Sequence, residues 1–299
     1  MFEILTTDQM YEADRRTIEG GLAGDVLMDN AGRVAFEEII RHWSPRSVSV
    51  LCGPGNNGGD GFVIARLLRD AGWSVRLGLM GDVVSLKGDA ALHAARWDGA
   101  VERLSPALVV GADLLVDCIF GAGLAREITG EIAELITTIN SSMASVVSVD
   151  VPSGVDGNSG AIWGCGVKAD LTVTFCRAKP GHYLLPGRLM CGELAIRDIG
   201  ISDQTISEMR PNCWRNDPVL WRAGIHWPGL EGHKYHRGHL LAFGGVTMTG
   251  ATRLVARAAR RSGVGLLTIV ADAAALPIYA SDAPGNMTAP MSAFDALVN

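Results

Sequence analysis

Three loops carry side chains that could do chemistry. GPGNNGGDG (53–61) sets Asn56, Asn57 and Asp60 among five glycines; VDCIFGAGLAREITG (116–130) places Asp117 ahead of a second glycine loop; VDVPSGVDGNSG (149–160) holds Asp150 and Ser153. Amide and carboxylate oxygens in such loops suit a polar ligand or a hard cation, and free backbone N–H groups at a helix start suit phosphate. The usual phosphate motifs do not account for the first loop. No Lys follows its glycines, as a Walker loop requires. Gly53 to Gly58 satisfy G-x-G-x-x-G, but the acidic residue expected about twenty positions on is Asp82, in a Gly-Asp turn. Ser153 is a poor nucleophile: Val151 and Val155 stand where G-x-S-x-G needs glycine, and no His is placed to activate it. It reads as a hydroxyl ligand or a turn residue.

The surrounding pattern says what positions these loops. SVSVLC (47–52) is a short β-branched run, and FVIARLLRDAGW (62–73) has apolar residues at helical spacing, so the first loop joins a strand to a helix. Further strands are expected at SVRLGLM (74–80), DLLVDCIF (113–120), within SVVSVDVPSG (145–154), at ADLTVTFC and at GELAIRDIG (192–200), with helices at KGDAALHAARW and EIAELITTI (131–139). Two helices precede them: TDQMYEADRRTIE, started by a Thr6/Gln9 capping box, and AGDVLMDNAGRVAFEEIIRHW. Alternation at this interval predicts an α/β fold with a doubly wound, mostly parallel Rossmann-like sheet. In such a sheet the strand ends face one crevice, which brings the three polar loops together. A single Asp is more often a cap or turn residue; three on neighbouring strand ends are harder to explain that way.

Composition limits the classes. The 299 residues are 48% hydrophobic and 19% charged, with a net charge of −6, which gives nucleic-acid binding no electrostatic support. No run approaches the roughly 18 apolar residues of a membrane span, and no secretory signal is evident at the N-terminus. The six cysteines include no C-x-x-C pair; Cys52, Cys118 and Cys176 fall in expected strands. A reducing cytoplasm fits. Residues 201–238 are polar, with three prolines and three tryptophans, and from Glu231 onward the net charge is +2 against −8 before it. A connector and a second unit are expected there.

Taken together, LMDNAG (27–32), GPGNNGGDG, VDCIFGAGL, VDVPSGVDGNSG, ADLTVTF (169–175) and the KPGH…PG…CGELAIRDIGI stretch (179–201) resemble the NAD(P)H-hydrate epimerases, the YjeF N-terminal type of domain. The resemblance covers about residues 1–215. It implies an isomerase of nicotinamide-nucleotide repair, interconverting the R and S epimers of NADH or NADPH hydrated at C6 of the nicotinamide ring (NADHX and NADPHX). It also implies substrate contacts at Asn56, Asn57, Gly58, Gly59 and Asp60, at Gly121, Ala122, Gly123, Leu124, Ala125, Arg126 and Glu127, and at Asp150, with a potassium ion (K+) held by Asn57, Asp117 and Ser153. Glu127 stands where the family often has proline. Asp150 is the first choice for acid/base work. Lys179 and His182 are lesser candidates, a loop Lys being more often on a solvated face.

Residues 231–299, after a linker at 216–230, resemble the start of an ADP- or ATP-dependent NAD(P)H-hydrate dehydratase domain, with a ribokinase-like fold. That resemblance implies an incomplete domain, with Ala251 touching the hydrated nucleotide and the lyase activity absent because the late Gly-Ser-Gly-Asp signature is missing. His233, His236 and His239 form an H-x-x-H-x-x-H run, but no Cys or Glu completes a zinc pattern. The alternatives are a non-catalytic binding or interaction module of the same fold, and an ordinary Rossmann dehydrogenase. The expected partner is a small-molecule substrate, with no nucleic acid and no membrane; a homo-oligomer is left open.

Overall fold

Residues of the first strand divide between two apolar clusters, which shows how the sheet is covered. In the computed structural model, which describes residues 2–225, 227 and 229–298, β1 (Ser47–Cys52) turns Val48, Val50 and Cys52 into one apolar cluster and Leu51 into another. His226 and Pro228 of the expected linker lie outside the described residues. The first cluster receives α1 (Thr7–Glu19), α2 (Gly24–His42) and α3 (Asn56–Asp70); the second receives α5 (Gly130–Ser141). Both faces of the sheet are therefore buried, as parallel sheets require.

The other elements of this unit are β2 (Ser74–Leu79), α4 (Gly88–Ala95), β3 (Glu102–Arg103), β4 (Leu114–Cys118), β5 (Ser145–Val149), β6 (Leu171–Phe175), β7 (Glu193–Arg197) and α6 (Asp203–Glu208). The seven strands are all parallel, in the order β3-β2-β1-β4-β5-β6-β7. The two-residue edge strand β3 is the one that the sequence pattern does not show. The order reverses between β1 and β4, the switch point where open α/β sheets bind ligands. β1, β4 and β5 are neighbours, so the three polar loops leave adjacent strand ends.

Helix α1 is fixed at its N-terminus by two sets of hydrogen bonds. Its Thr6/Gln9 capping box is formed. The Thr7 amide donates to Asn158 Oδ1 at 2.9 Å, and Asn158 Nδ2 donates back to Thr7 Oγ1 at 2.8 Å, tying the helix to the loop that follows Asp150.

The chain divides into two compact units, Met1–Asp217 and Pro218–Asn299. The second contains α7 (Pro218–Trp221), β8 (His239–Gly244), α8 (Thr249–Arg261), β9 (Leu266–Ala271), α9 (Leu276–Asp282), β10 (Met287–Pro290) and α10 (Phe294–Val298). Its three strands are parallel in the order β10-β9-β8, over a core of Ala242, Ala256, Leu267, Ile269 and Tyr279. No helix among the described residues is long and apolar enough to cross a membrane.

Candidate active site

The glycines of the first loop answer to close packing. A Cβ on Gly53 would lie 1.8 Å from the Ile119 carbonyl oxygen, and one on Gly58 would lie 1.9 Å from the Gly53 carbonyl oxygen. Only bare backbone lets the β1 loop fold onto the β4 loop and start α3 at once. Gly55 caps α3 with extended backbone and no side-chain hydrogen bond, which leaves first-turn amides for a ligand.

A cavity of about 620 Å³ opens at this point. Asn56, Asn57 and Asp60 line it from the first loop; Gly121, Ala122, Gly123, Leu124, Ala125 and Arg126 from the second; and Asp150 from the third. Gly58 and Gly59 are buried in the first turn of α3 behind the wall, and Glu127 is exposed beyond the lining. Ala251 is exposed in the first turn of α8, in the second unit.

Asp150 follows β5 with φ of 65°, left-handed backbone that a non-glycine residue adopts at a cost. Its amide donates to the Val173 carbonyl at 2.7 Å, which holds the turn. Lys179 Nζ donates to Asp150 Oδ1 at 2.5 Å and to Thr174 Oγ1 at 2.9 Å, while the Ala122 amide donates to Asp150 Oδ2 at 3.0 Å. Lys179 is only 3% exposed, so its expected place on a solvated face is wrong. It follows β6, the strand beside β5, and its stem crosses buried ground to reach the carboxylate. Burial pushes the Asp150 carboxyl up, but the Lys179 ammonium and the Ala122 amide pull it down harder, and it sits below its ordinary value. Asp150 is therefore ionised at neutral pH.

His182 locks this pair. The Lys179 amide donates to His182 Nδ1 at 2.9 Å, so Nε2 carries the hydrogen and donates to the Asp150 carbonyl at 2.8 Å. Burial, helped by the nearby ammonium, lowers its pKa to about 4. His182 is a neutral positioning residue.

Asp117 and Ser153 lie beneath the cavity and do not line it. Asp117 is fully buried and accepts from Ser153 Oγ at 2.5 Å, from the Ser153 amide at 2.9 Å and from Ser148 Oγ at 2.8 Å. Ser153 Oγ in turn accepts from the Phe120 amide at 2.9 Å. The network ties the β4 loop to the β5 loop. The Asn57 side chain is different: its Oδ1 and Nδ2 are buried without a hydrogen-bond partner. Burying an amide unpaired costs about 1–3 kcal/mol, a cost that an oxygen-seeking partner at Oδ1 would offset. Among the described residues, no group of three or more His, Cys, Asp or Glu is arranged to hold a metal. His239 Nε2 lies 2.8 Å from Thr268 Oγ1, and only His233 and His236 stack together.

Sequence reasoning missed one wall. Thr7, Met10, Tyr11 and Asp14, spaced i, i+3, i+4 and i+7 on α1, all line the cavity, as do Phe175 at the end of β6 and Lys179 past it. The spacing was visible; that the stripe covers a cavity was not.

The family described as YjeF-related protein N-terminus matches residues 24–181. The bifunctional NAD(P)H-hydrate repair enzyme Nnr of Coxiella burnetii is 35% identical over 97% of this chain and 60% of its own length. The NAD(P)H-hydrate epimerase of Limosilactobacillus fermentum is 38% identical over 66% of this chain and 96% of its own. The chain spans 53–60% of the length of the first bifunctional relatives. The crystal structure of the yeast protein Ynu0 (YNL200c) superposes with a TM-score of 0.61 at 19% identity, over 72% of this chain and 96% of that one, which shows a shared fold.

Proposed function

The chain belongs to the YjeF-related protein N-terminus family, and from that premise we propose that it interconverts the R and S epimers of hydrated NADH and NADPH in the cytoplasm. The observation that carries the reading is the convergence of the two glycine loops and Asp150 on one cavity. The first-turn amides of α3 and the backbone of the second loop take the substrate's phosphates, with Arg126 at the rim adding positive charge. Asn56 and Asp60 take polar groups of the nucleotide. The ring lies against Asp150, whose ionised carboxylate offsets the positive charge that develops between the ring nitrogen and C6 as the hydroxyl leaves. The same carboxylate takes a proton from the water that returns.

Asn57, Asp117 and Ser153 offer oxygen ligands only, and the unpaired Asn57 amide fits a potassium ion there. When bound, the ion supplies fixed positive charge beside the glycine loops. Ala251 is assigned a nucleotide contact within the second unit. The test supplies pure R epimer and follows S epimer by chromatography, with and without potassium. Formation no faster than the buffer blank would overturn the reading.

A further inference from the structure

Two further carboxyls in the cavity take no part in the proton transfers of this scheme. Asp60, 8% exposed, and Asp14, on the α1 wall, make no hydrogen bond or ion pair with any described residue. A buried carboxyl without a partner destabilises the fold unless it stays protonated. Lys179 is the buried cation of the cavity, and Asp150 has already taken it at 2.5 Å. Three carboxyls around one engaged ammonium cannot all ionise, so the cavity keeps carboxylate and carboxylic acid side by side.

We propose, on the epimerase reading above, that Asp14 is a second catalytic residue, the acid that protonates the departing C6 hydroxyl. The C6–O bond breaks with its electron pair on oxygen, which takes the Asp14 proton and leaves as water. The lone pair of the ring nitrogen closes a C=N bond. Water then attacks C6 from the other face, using the C=N pair to restore the nitrogen lone pair, and loses its proton to Asp150. Passing that proton through cavity water to Asp14 resets both groups, so nothing is consumed. For the reverse epimerisation the two carboxyls exchange roles. They stand on different walls, α1 and the loop after β5, as an exchange of faces requires.

Asp14 suits this better than Asp60 because it is partly exposed and can exchange its proton with solvent. Burial raises its pKa to about 6, with Asp150 adding to the rise and Lys179 opposing it. The other titratable groups around it are Tyr11 on its own helix, Asp60 from α3 and Cys176 past β6, with Arg126 further along the wall and the neutral His182 buried behind Asp150 and Lys179. Burial, with the Asp150 and Asp14 charges, holds Asp60 well above its ordinary value.

The test measures epimerisation of R-epimer NADHX from pH 5 to pH 8 for the whole chain, Asp14→Asn and Asp14→Glu, with Tm and the affinity for ADP-ribose alongside. In the parent, kcat/KM should fall as pH rises through about 6. Asp14→Asn should lower kcat by about 10²-fold and flatten that limb, with a Tm no lower than the parent's and unchanged ADP-ribose affinity. Asp14→Glu should restore a limb at a shifted pH. An Asp14→Asn variant with the parent's kcat and limb overturns the assignment, as does a loss of activity matched by lost Tm or lost ADP-ribose affinity. A parent without epimerase activity overturns the functional reading itself, and this step with it.

Discussion

Replacing Lys179 by Met tests the ion pair at the centre of the site. The side chains are similar in length, but the variant leaves Asp150 without its counter-charge. Lys179 is 4% exposed at the side chain and Asp150 18%. Breaking a buried pair by removing one partner costs about 3–5 kcal/mol. Asp150 keeps the Ala122 amide and an opening to the cavity, which puts the cost at the lower end, about 3 kcal/mol. For a unit of about 200 residues that corresponds to roughly 6–12 °C in Tm. The sign with pH distinguishes an ion pair from packing. In the parent, the lowered Asp150 pKa contributes stability that is present above the unfolded value of about 3.9 and lost as pH falls through the folded value. In Lys179→Met burial acts with less opposition, the carboxyl titrates higher, and the variant loses stability as pH rises. The gap between parent and variant should therefore be wide at pH 8 and narrow near pH 4. Urea unfolding read by tryptophan fluorescence reports it, since Trp73 and Trp97 are buried in the core of the first unit. Adding Asp150→Asn to Lys179→Met should recover most of the loss. A gap independent of pH, or a double variant as unstable as Lys179→Met, would refute the ion-pair account.

Asp150→Asn alone should cut epimerisation by about 10²-fold or more, read by chromatography of the two epimers, and should cost stability because Lys179 is then buried unpaired. Asn57→Ala should remove any difference in Tm between potassium and sodium buffers; a parent that melts identically in both would exclude the cation site. Asp60→Asn should stabilise the protein at pH 7–8, because burial holds Asp60 protonated in the fold while the unfolded chain ionises, so the parent loses stability as pH rises above about 3.9. That gain should shrink toward pH 4, and a variant less stable than the parent at pH 8 would show that Asp60 has a partner.

The fold was legible where period and length spoke together. β1, β4, β5 and β6 are apolar runs of five or six residues bounded by turn signals, and the structure places each within a few residues of its expected span. β3 was not legible: Glu102 and Arg103 form a strand because the edge of β2 is free to pair, and two polar residues carry no period. In the second unit, β10 (Met287–Pro290) has only four residues and ends in proline, a sequence that local propensity reads as loop. The Asn/Asp loops were legible because five glycines in nine residues demand a structural reason.

The remaining members of the site were hidden by a single missing datum, the strand order. Three loops were expected to meet because each ended an apolar run in Asn, Asp or Ser. Once β6 is known to lie beside β5, the chain leaving it must reach the same crevice, and KPGH is that chain. A Lys there faces two fates: stay in solvent, or neutralise whatever acid the neighbouring strand presents. Asp150, held in left-handed backbone with its own amide committed to Val173, cannot turn away, and the shortest route from β6 brings Nζ to its carboxylate. The same order explains α1. Its first turn is tied to Asn158, ten residues or fewer past the strand end that carries Asp150, so one helical face covers the cavity that the sheet opens. An amphipathic stripe of Thr, Met, Tyr and Asp is too polar to be read as core. Its polar members make sense only as the lining of a site.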